Sequence, residues 1–324
     1  MRVRLPRIED SDLSLFQFDY DLTLMVFFLN GQEQIYGRYG GRDGNDADSR
    51  QSLAGLRYAM QAALDAHEQG EVSSKLQQRD APKYIDEFAS VGGGGCIHGH
   101  DAKEIMIQDM IASDSWNREL VWRYPLPDNL GLVLEVDRGD VVERVEPDSP
   151  ASRADLKTGD VIESIAGLPV HSFADAQFAL DGAPPNGMLD VRWQRGDRTH
   201  SGQLELPAGW RKTDITWRAS AFALIPSSPL HGRDLTGDER RQHGLSEKQL
   251  AFVQQTPIST AVRKIGIRER DVILGFNGNT LEMEAYDFVS HVREHFLAGD
   301  QVLVDVIRNE QRLQLPMTLR GQTR

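Results

Sequence analysis

Apolar positions along the chain fall into two kinds of pattern that alternate from end to end. Leu24 to Leu29 is a continuous apolar run, which predicts a strand buried on both faces; Asn30-Gly31 then predicts a two-residue hairpin turn into Gln34 to Tyr39. Beyond a polar loop, Leu53, Leu56, Met60 and Leu64 recur at helical spacing and predict a helix buried through that face. Residues 71–128 break the pattern with Pro82 and the run Gly92-Gly-Gly-Gly-Cys96. They predict a connector that carries one short helix and ends at Tyr124-Pro-Leu-Pro127.

From 129 to 210 the apolar runs are short and strand-like: 131–136, 141–145, 161–165, 189–193 and 202–206, with one helical stretch at 173–180. The same order returns at 249–254, 272–276, a helix at 282–296, 301–307 and 312–317. Gly159-Asp-Val-Ile162 and Arg270-Asp-Val-Ile273 hold the same place in the two copies, and Leu204-Glu-Leu-Pro207 matches Leu313-Gln-Leu-Pro316 at their exits. Two matching stretches at a constant offset imply two copies of one domain. The expected organisation is therefore an α/β module at 1–70, a connector at 71–128, a first small, partly open β-barrel with a covering helix at 129–210, a connector at 211–242, and a second such barrel at 243–320. The fold class is α+β multidomain.

Composition narrows the function. At 324 residues the chain is long enough for two or three domains. The net charge of −13, from 36 basic and 49 acidic residues, provides no footprint for phosphate backbones, so nucleic acid is not an expected partner. The longest apolar run is far below the roughly 20 residues that span a bilayer, and no export signal precedes Glu9. The single cysteine, Cys96, excludes an intrachain disulfide framework.

Pro150-Ala-Ser-Arg-Ala-Asp-Leu-Lys-Thr-Gly-Asp-Val-Ile162, followed by Ile165-Ala-Gly167, resembles the signature of bacterial PDZ domains attached to periplasmic serine proteases of the high-temperature-requirement family. The second copy departs from it at Arg270 and by one inserted residue ahead of Ile267. The resemblance implies recognition of protein C-termini or extended peptide segments by strand addition. Main-chain amides of a Φ-Gly-Φ loop would hold the terminal carboxylate, a role that falls to Leu130, Gly131 and Leu132 in the first copy and to Leu250, Ala251 and Phe252 in the second. Groove walls would come from Leu132, Leu134, Gln177 and Leu180, and from Phe252, Val289 and Val292. Each of these side chains is equally readable as ordinary core. If one groove binds, the better-matched first copy is expected to be the one.

Phe18-Asp-Tyr-Asp-Leu22, Tyr36-Gly-Arg-Tyr-Gly-Gly-Arg42 and Ser52-Leu-Ala-Gly-Leu56 resemble thioredoxin-like, PDZ-containing proteins of planctomycete-type bacteria, and the first 70 residues resemble the C-terminal half of a thioredoxin fold. No Cys-x-x-Cys is present, so thiol redox chemistry of that type cannot run. Cys96-Ile-His98-Gly-His100 resembles a c-type haem attachment site with Gly99 in place of the second cysteine. Haem on Cys96 and His100, a metal on Cys96, His98 and His100, and a glycine loop with exposed histidines are the three readings; no cofactor and no metal is the expectation. Arg38, Arg42, Arg50 and Arg57 lie among acidic neighbours and read as surface. Asp43 to Asp48 reads as a solvated loop rather than a calcium loop.

No nucleophile elbow and no phosphate loop occurs. These features point to a non-catalytic peptide-binding adaptor, and the resemblance to the PDZ domains of periplasmic proteases implies an extracytoplasmic location. An electron-transfer protein using residues 96–100, or the regulatory part of a protease made of separate chains, are the alternatives.

Overall fold

The computed structural model describes residues 3–5, 8–44, 46–78, 80–91 and 97–321. The chain forms two compact units, Met1–Thr213 and Asp214–Arg324.

The first unit opens with an antiparallel hairpin of β1 (Met25–Leu29) and β2 (Ile35–Gly40). The turn is longer than the Asn30-Gly31 pair implied. The Asn30 side chain organises it, accepting from the main-chain N–H of Gln34 at 3.1 Å and donating to Gln34 Oε1 at 2.7 Å, while Glu33 takes φ 60°. Burial also falls on the other strand: every residue of β2 is buried, Arg38 included, whereas β1 is half-buried. Helix α1 (Leu53–Glu68) starts at its N-cap Ser52, whose Oγ accepts from Gly55 N at 2.9 Å. Its buried face is Gly55, Ala59 and Ala63, while of the expected face Leu53, Met60 and Leu64 are exposed, Leu53 at 74%, and Leu56 is half-buried. Close approach explains the inversion, because a Cβ on Gly55 would lie 2.5 Å from Val136 O and only small residues fit that side. Helix α2 (Gly99–Ala112) closes a small cluster of Ile8, Leu13, Tyr20, Ile85, Phe88 and Ala102.

The unit continues with β3 (Leu132–Leu134), β4 (Val142–Val145), α3 (Pro150–Arg153), β5 (Val161–Ile165), β6 (Leu168–Pro169), α4 (Phe173–Asp181), β7 (Gly187–Arg195) and β8 (Arg198–Leu206). The sheets stay open: β3 pairs with β4, and β6-β5-β7-β8 forms a second sheet, joined to the first at the bridge Val141↔Val161, beside which Val142 N donates to Asp160 O at 2.8 Å and Ile162 N to Asp140 O at 2.7 Å. No closed barrel forms among the described residues. Leu130, Leu132, Leu134, Ile162, Ile165 and Trp193 are all at most 2% exposed in the core between the sheets and α4.

The second unit holds β9 (Pro226–Ser227), β10 (Gly232–Asp234), α5 (Gly237–Gln242), β11 (Phe252–Gln254), α6 (Thr260–Ile265), β12 (Val272–Phe276), α7 (Ala285–His295), β13 (Gln301–Arg308), β14 (Gln311–Thr318) and β15 (Arg320–Gly321). Its main sheet runs β10-β11-β12-β13-β14 and packs on Phe252, Phe276 and Phe288, with Phe276 and Phe288 edge to face at 5.0 Å. Residues 211–242, expected as a connector, instead contribute β9, β10 and α5, and Leu230 within them is fully buried.

The repeated Asp-Val-Ile has one mechanical cause in both units. Asp160 accepts from Lys157 N at 2.8 Å and is gripped by Arg195 through Nε at 2.7 Å and Nη2 at 2.8 Å. Asp271 accepts from Arg268 N at 2.8 Å and is gripped by Arg308 at 2.9 and 2.7 Å. Each aspartate, 1% exposed, ties the turn before a central strand to the C-terminal end of the antiparallel strand paired with it.

Candidate functional site

In the first unit Glu146 N donates to Gly131 O at 2.9 Å and Glu135 N to Val141 O at 2.9 Å. Antiparallel alternation then turns the main-chain groups of Leu132 and Leu134 away from β4, toward α4. This is the strand edge, beside a helix, that the sequence reading requires. Gly131 stands at its head with φ 73°, and a Cβ there would meet Ser149 Cβ at 2.2 Å, so both conformation and space call for glycine.

That edge is covered by residues from the N-terminal segment. Arg50 donates from Nη1 to Leu134 O at 3.4 Å and from Nη2 to Asp128 Oδ1 at 2.6 Å, pairs with Asp43 at 3.3 Å, and lies over the Phe173 ring at 4.8 Å. Burial pushes the Asp128 carboxyl up, against the pull of Arg50. One strand away, Arg38 is fixed against α4: its N–H donates to Asp175 Oδ1 at 2.9 Å, its C=O accepts from Ser172 Oγ at 2.6 Å, and its guanidinium stacks 3.5 Å above Phe178. The reading of Arg38 and Arg50 as surface is therefore overturned. Arg38 is 2% exposed. Gln177 does not face an open groove either, since its amide donates to Tyr124 O at 2.9 Å, and Leu180 lies in the core.

In the second unit the same geometry recurs one strand away from where the sequence placed it. Phe252 lies on β11, which is paired on one side to β10 and on the other to β12. Leu250, Ala251 and Phe252 are fully buried and border no free edge. The equivalent of β3 is β10: Gln255 N donates to His231 O at 2.9 Å and Leu235 N to Ala251 O at 3.0 Å, matching the bonds of Gly131 and Glu135. Leu230, His231 and Gly232 thus stand where Leu130, Gly131 and Leu132 stand, and the main chain of Gly232 and Asp234 turns outward. The Asp234 carboxylate accepts from Ala285 N at 3.0 Å and seats the first turn of α7 beside the strand. Val289 is half-buried on α7, Tyr286 is 84% exposed, and Val292 belongs to the core.

Asp234 O accepts from Arg233 Nη1 at 2.9 Å, but that side chain is 59% exposed and its ion pair is with the half-buried Glu239 at 2.9 Å. The Arg50 side chain of the first unit, only 10% exposed and held by Asp43 and Asp128, has no such freedom. The constant offset of the repeat hides this edge because β10 and β11 are separated by α5, whereas β3 and β4 are joined by a short turn. The signal in the sequence was the buried leucine before each edge, Leu130 and Leu230.

Cys96 lies outside the described residues. His98 and His100 stack with ring centroids 6.0 Å apart at the start of α2, and His100 Nε2 meets Asp101 at 3.3 Å. Among the described residues no group of three His, Cys, Asp or Glu side chains is placed to hold a metal. No helix among them is long and apolar enough to cross a membrane.

A strand edge flanked by a helix and headed by a Φ-Gly turn is the arrangement of a PDZ-class domain. Residues 141–195 match the family model described as PDZ domain. The chain is 28% identical over 144 residues to the periplasmic pH-dependent serine endoprotease DegQ of Escherichia coli K12, covering 44% of this chain and 29% of that protein. It is 30% identical over 154 residues to the periplasmic serine endoprotease DegP of the same strain, covering 47% of this chain and 30% of that protein. The chain thus spans under a third of the length of these relatives. A crystal structure of a serine endoprotease from Yersinia pestis matches 24% of this chain and 27% of that one at 24% identity, with a TM-score of 0.22.

Proposed function

We propose that the chain is a non-catalytic, extracytoplasmic adaptor that binds C-terminal or extended peptide segments of other proteins through the edge of β10 beside α7. In this reading 226–321 form a second PDZ domain, and Leu230, His231 and Gly232 hold the terminal carboxylate. Val289, with Tyr286, lines the groove. The first PDZ domain, from Pro127 to Leu206, is a closed copy whose edge is used inside its own unit by Arg50. The observation that carries this is the pair of matched ladders, one edge held by an ion-paired Arg50 side chain and the other bordered by the exposed Arg233 and Tyr286. Calorimetric titration of the full chain with free C-terminal peptides tests it. Affinities in the micromolar range, about −8 kcal/mol, are expected, and amidation of the peptide terminus should abolish the heat. If no peptide from a diverse set binds, the proposal fails.

The names of the relatives favour a second reading, in which the grooves regulate a serine protease. Endopeptidase activity that co-purifies with the chain would support it.

A further inference from the structure

The buried side of β2 opens onto a cavity of about 170 Å³ that lies away from the strand edge of the first PDZ domain. It is lined by Leu15, Gln17, Gln34, Leu76, Gln77 and Phe178, and Arg38 forms part of its wall. Arg38 is held from both sides of its main chain by Asp175 and Ser172, so its side chain cannot retreat to solvent. Its Nε donates to Gln17 O at 3.3 Å, and the cation lies 3.5 Å from the Phe178 ring centroid and 5.4 Å from that of Phe27. Nη1 is buried and has no hydrogen-bond partner in the protein. A buried guanidinium with an unused donor is a costly arrangement unless an acceptor completes it. Burial also lowers its pKa to about 10, with Asp175 opposing, which leaves it a full cation at neutral pH.

The opposite wall is equally fixed. Gln77 Oε1 accepts from Ile35 N at 3.0 Å and its Nε2 donates to Ile35 O at 2.8 Å, so the 73–78 segment is clamped to the start of β2. The cavity is well below the roughly 300–1,000 Å³ of sites for drug-sized ligands, so its occupant has few heavy atoms. A buried guanidinium N–H that lacks an acceptor matches a carboxylate oxygen, which would take it as a charge-assisted hydrogen bond. We propose that this cavity is a binding site for a small monocarboxylate, completed through Arg38 Nη1. The carboxylate could be that of a free acid or of a chain terminus reaching in.

The test uses the full chain at pH 7.5 and constant ionic strength, with chloride as reference and amide chemical shifts and thermal midpoint as readouts. Propionate stands for the free acid, N-acetylglycine for a chain terminus, and phosphate for a dianion. Saturable shifts at Arg38, Gln34 and Gln77 with a raised midpoint are expected for propionate, N-acetylglycine or both, and the difference between them identifies the source. Arg38→Lys keeps the charge but loses the fork, and Gln78→Glu adds a charge at the exposed rim without disturbing the packing of Arg38. Each should weaken binding about tenfold. Shifts with phosphate alone, an unchanged response in the folded Gln78→Glu protein, or no response beyond that of chloride would overturn the proposal.

Discussion

Arg50 places Nη1 3.4 Å from Leu134 O, on the side of β3 that faces away from β4. A carbonyl oxygen in that position is one that an added peptide strand would use, so the contact sets the first groove's state. Arg50→Ala should expose this oxygen and leave the carboxylate of Asp128 without its partner. The expected outcome is a loss of about 1–3 kcal/mol of stability by urea unfolding, together with new peptide binding in the first unit.

Gly232 has no room for a side chain. A Cβ there would lie 1.9 Å from Val253 O, so even alanine must push β10 off β11. Gly232→Ala is expected to cost about 1–3 kcal/mol and to abolish peptide binding by the second unit. Retention of both stability and binding would place the groove elsewhere.

The two gripped aspartates give a matched pair of measurements. Asp160→Asn and Asp271→Asn each keep the shape but remove the charge that Arg195 and Arg308 hold. Each should lower the unfolding free energy by about 1–3 kcal/mol, measured by denaturant titration.

A pH dependence follows from α7. The His291 imidazole is lowered to about 4, chiefly by burial and then by the neighbouring His295, whose ring stacks 4.1 Å away. Its unfolded value is 6.5, so between about 6.5 and 4 the unfolded chain binds more protons than the folded one. Stability should therefore fall as pH drops through that window, and the thermal midpoint of His291→Gln should fall less steeply over it.

Much of this molecule was legible in its sequence. The repeat was readable because Asp160 and Asp271 bond to amides in their own turns, which local sequence can encode. Their partners Arg195 and Arg308 were not, since they come from the far ends of β7 and β13. Arg38 and Arg50 read as surface because charged residues are seldom buried, and only the packing of β2 and the segment before α1 against α4 reverses that. The apolar face of α1 was misread for a related reason: Gly55, Ala59 and Ala63 share a helical stripe with no hydrophobic bulk to announce it. The second edge was displaced by α5, an insertion of polar sequence that looks like linker.

The central claim is that the edge of β10 takes a peptide and the edge of β3 does not. One calorimetric series decides it, with a single free-carboxylate peptide titrated into the full chain, Val289→Arg and Arg50→Ala. The account predicts one binding site in the full chain, a loss of at least tenfold in affinity for Val289→Arg, and a second site appearing in Arg50→Ala. Unchanged binding in Val289→Arg, with the site mapping to Leu132 and Leu134 in the unaltered chain, would contradict it.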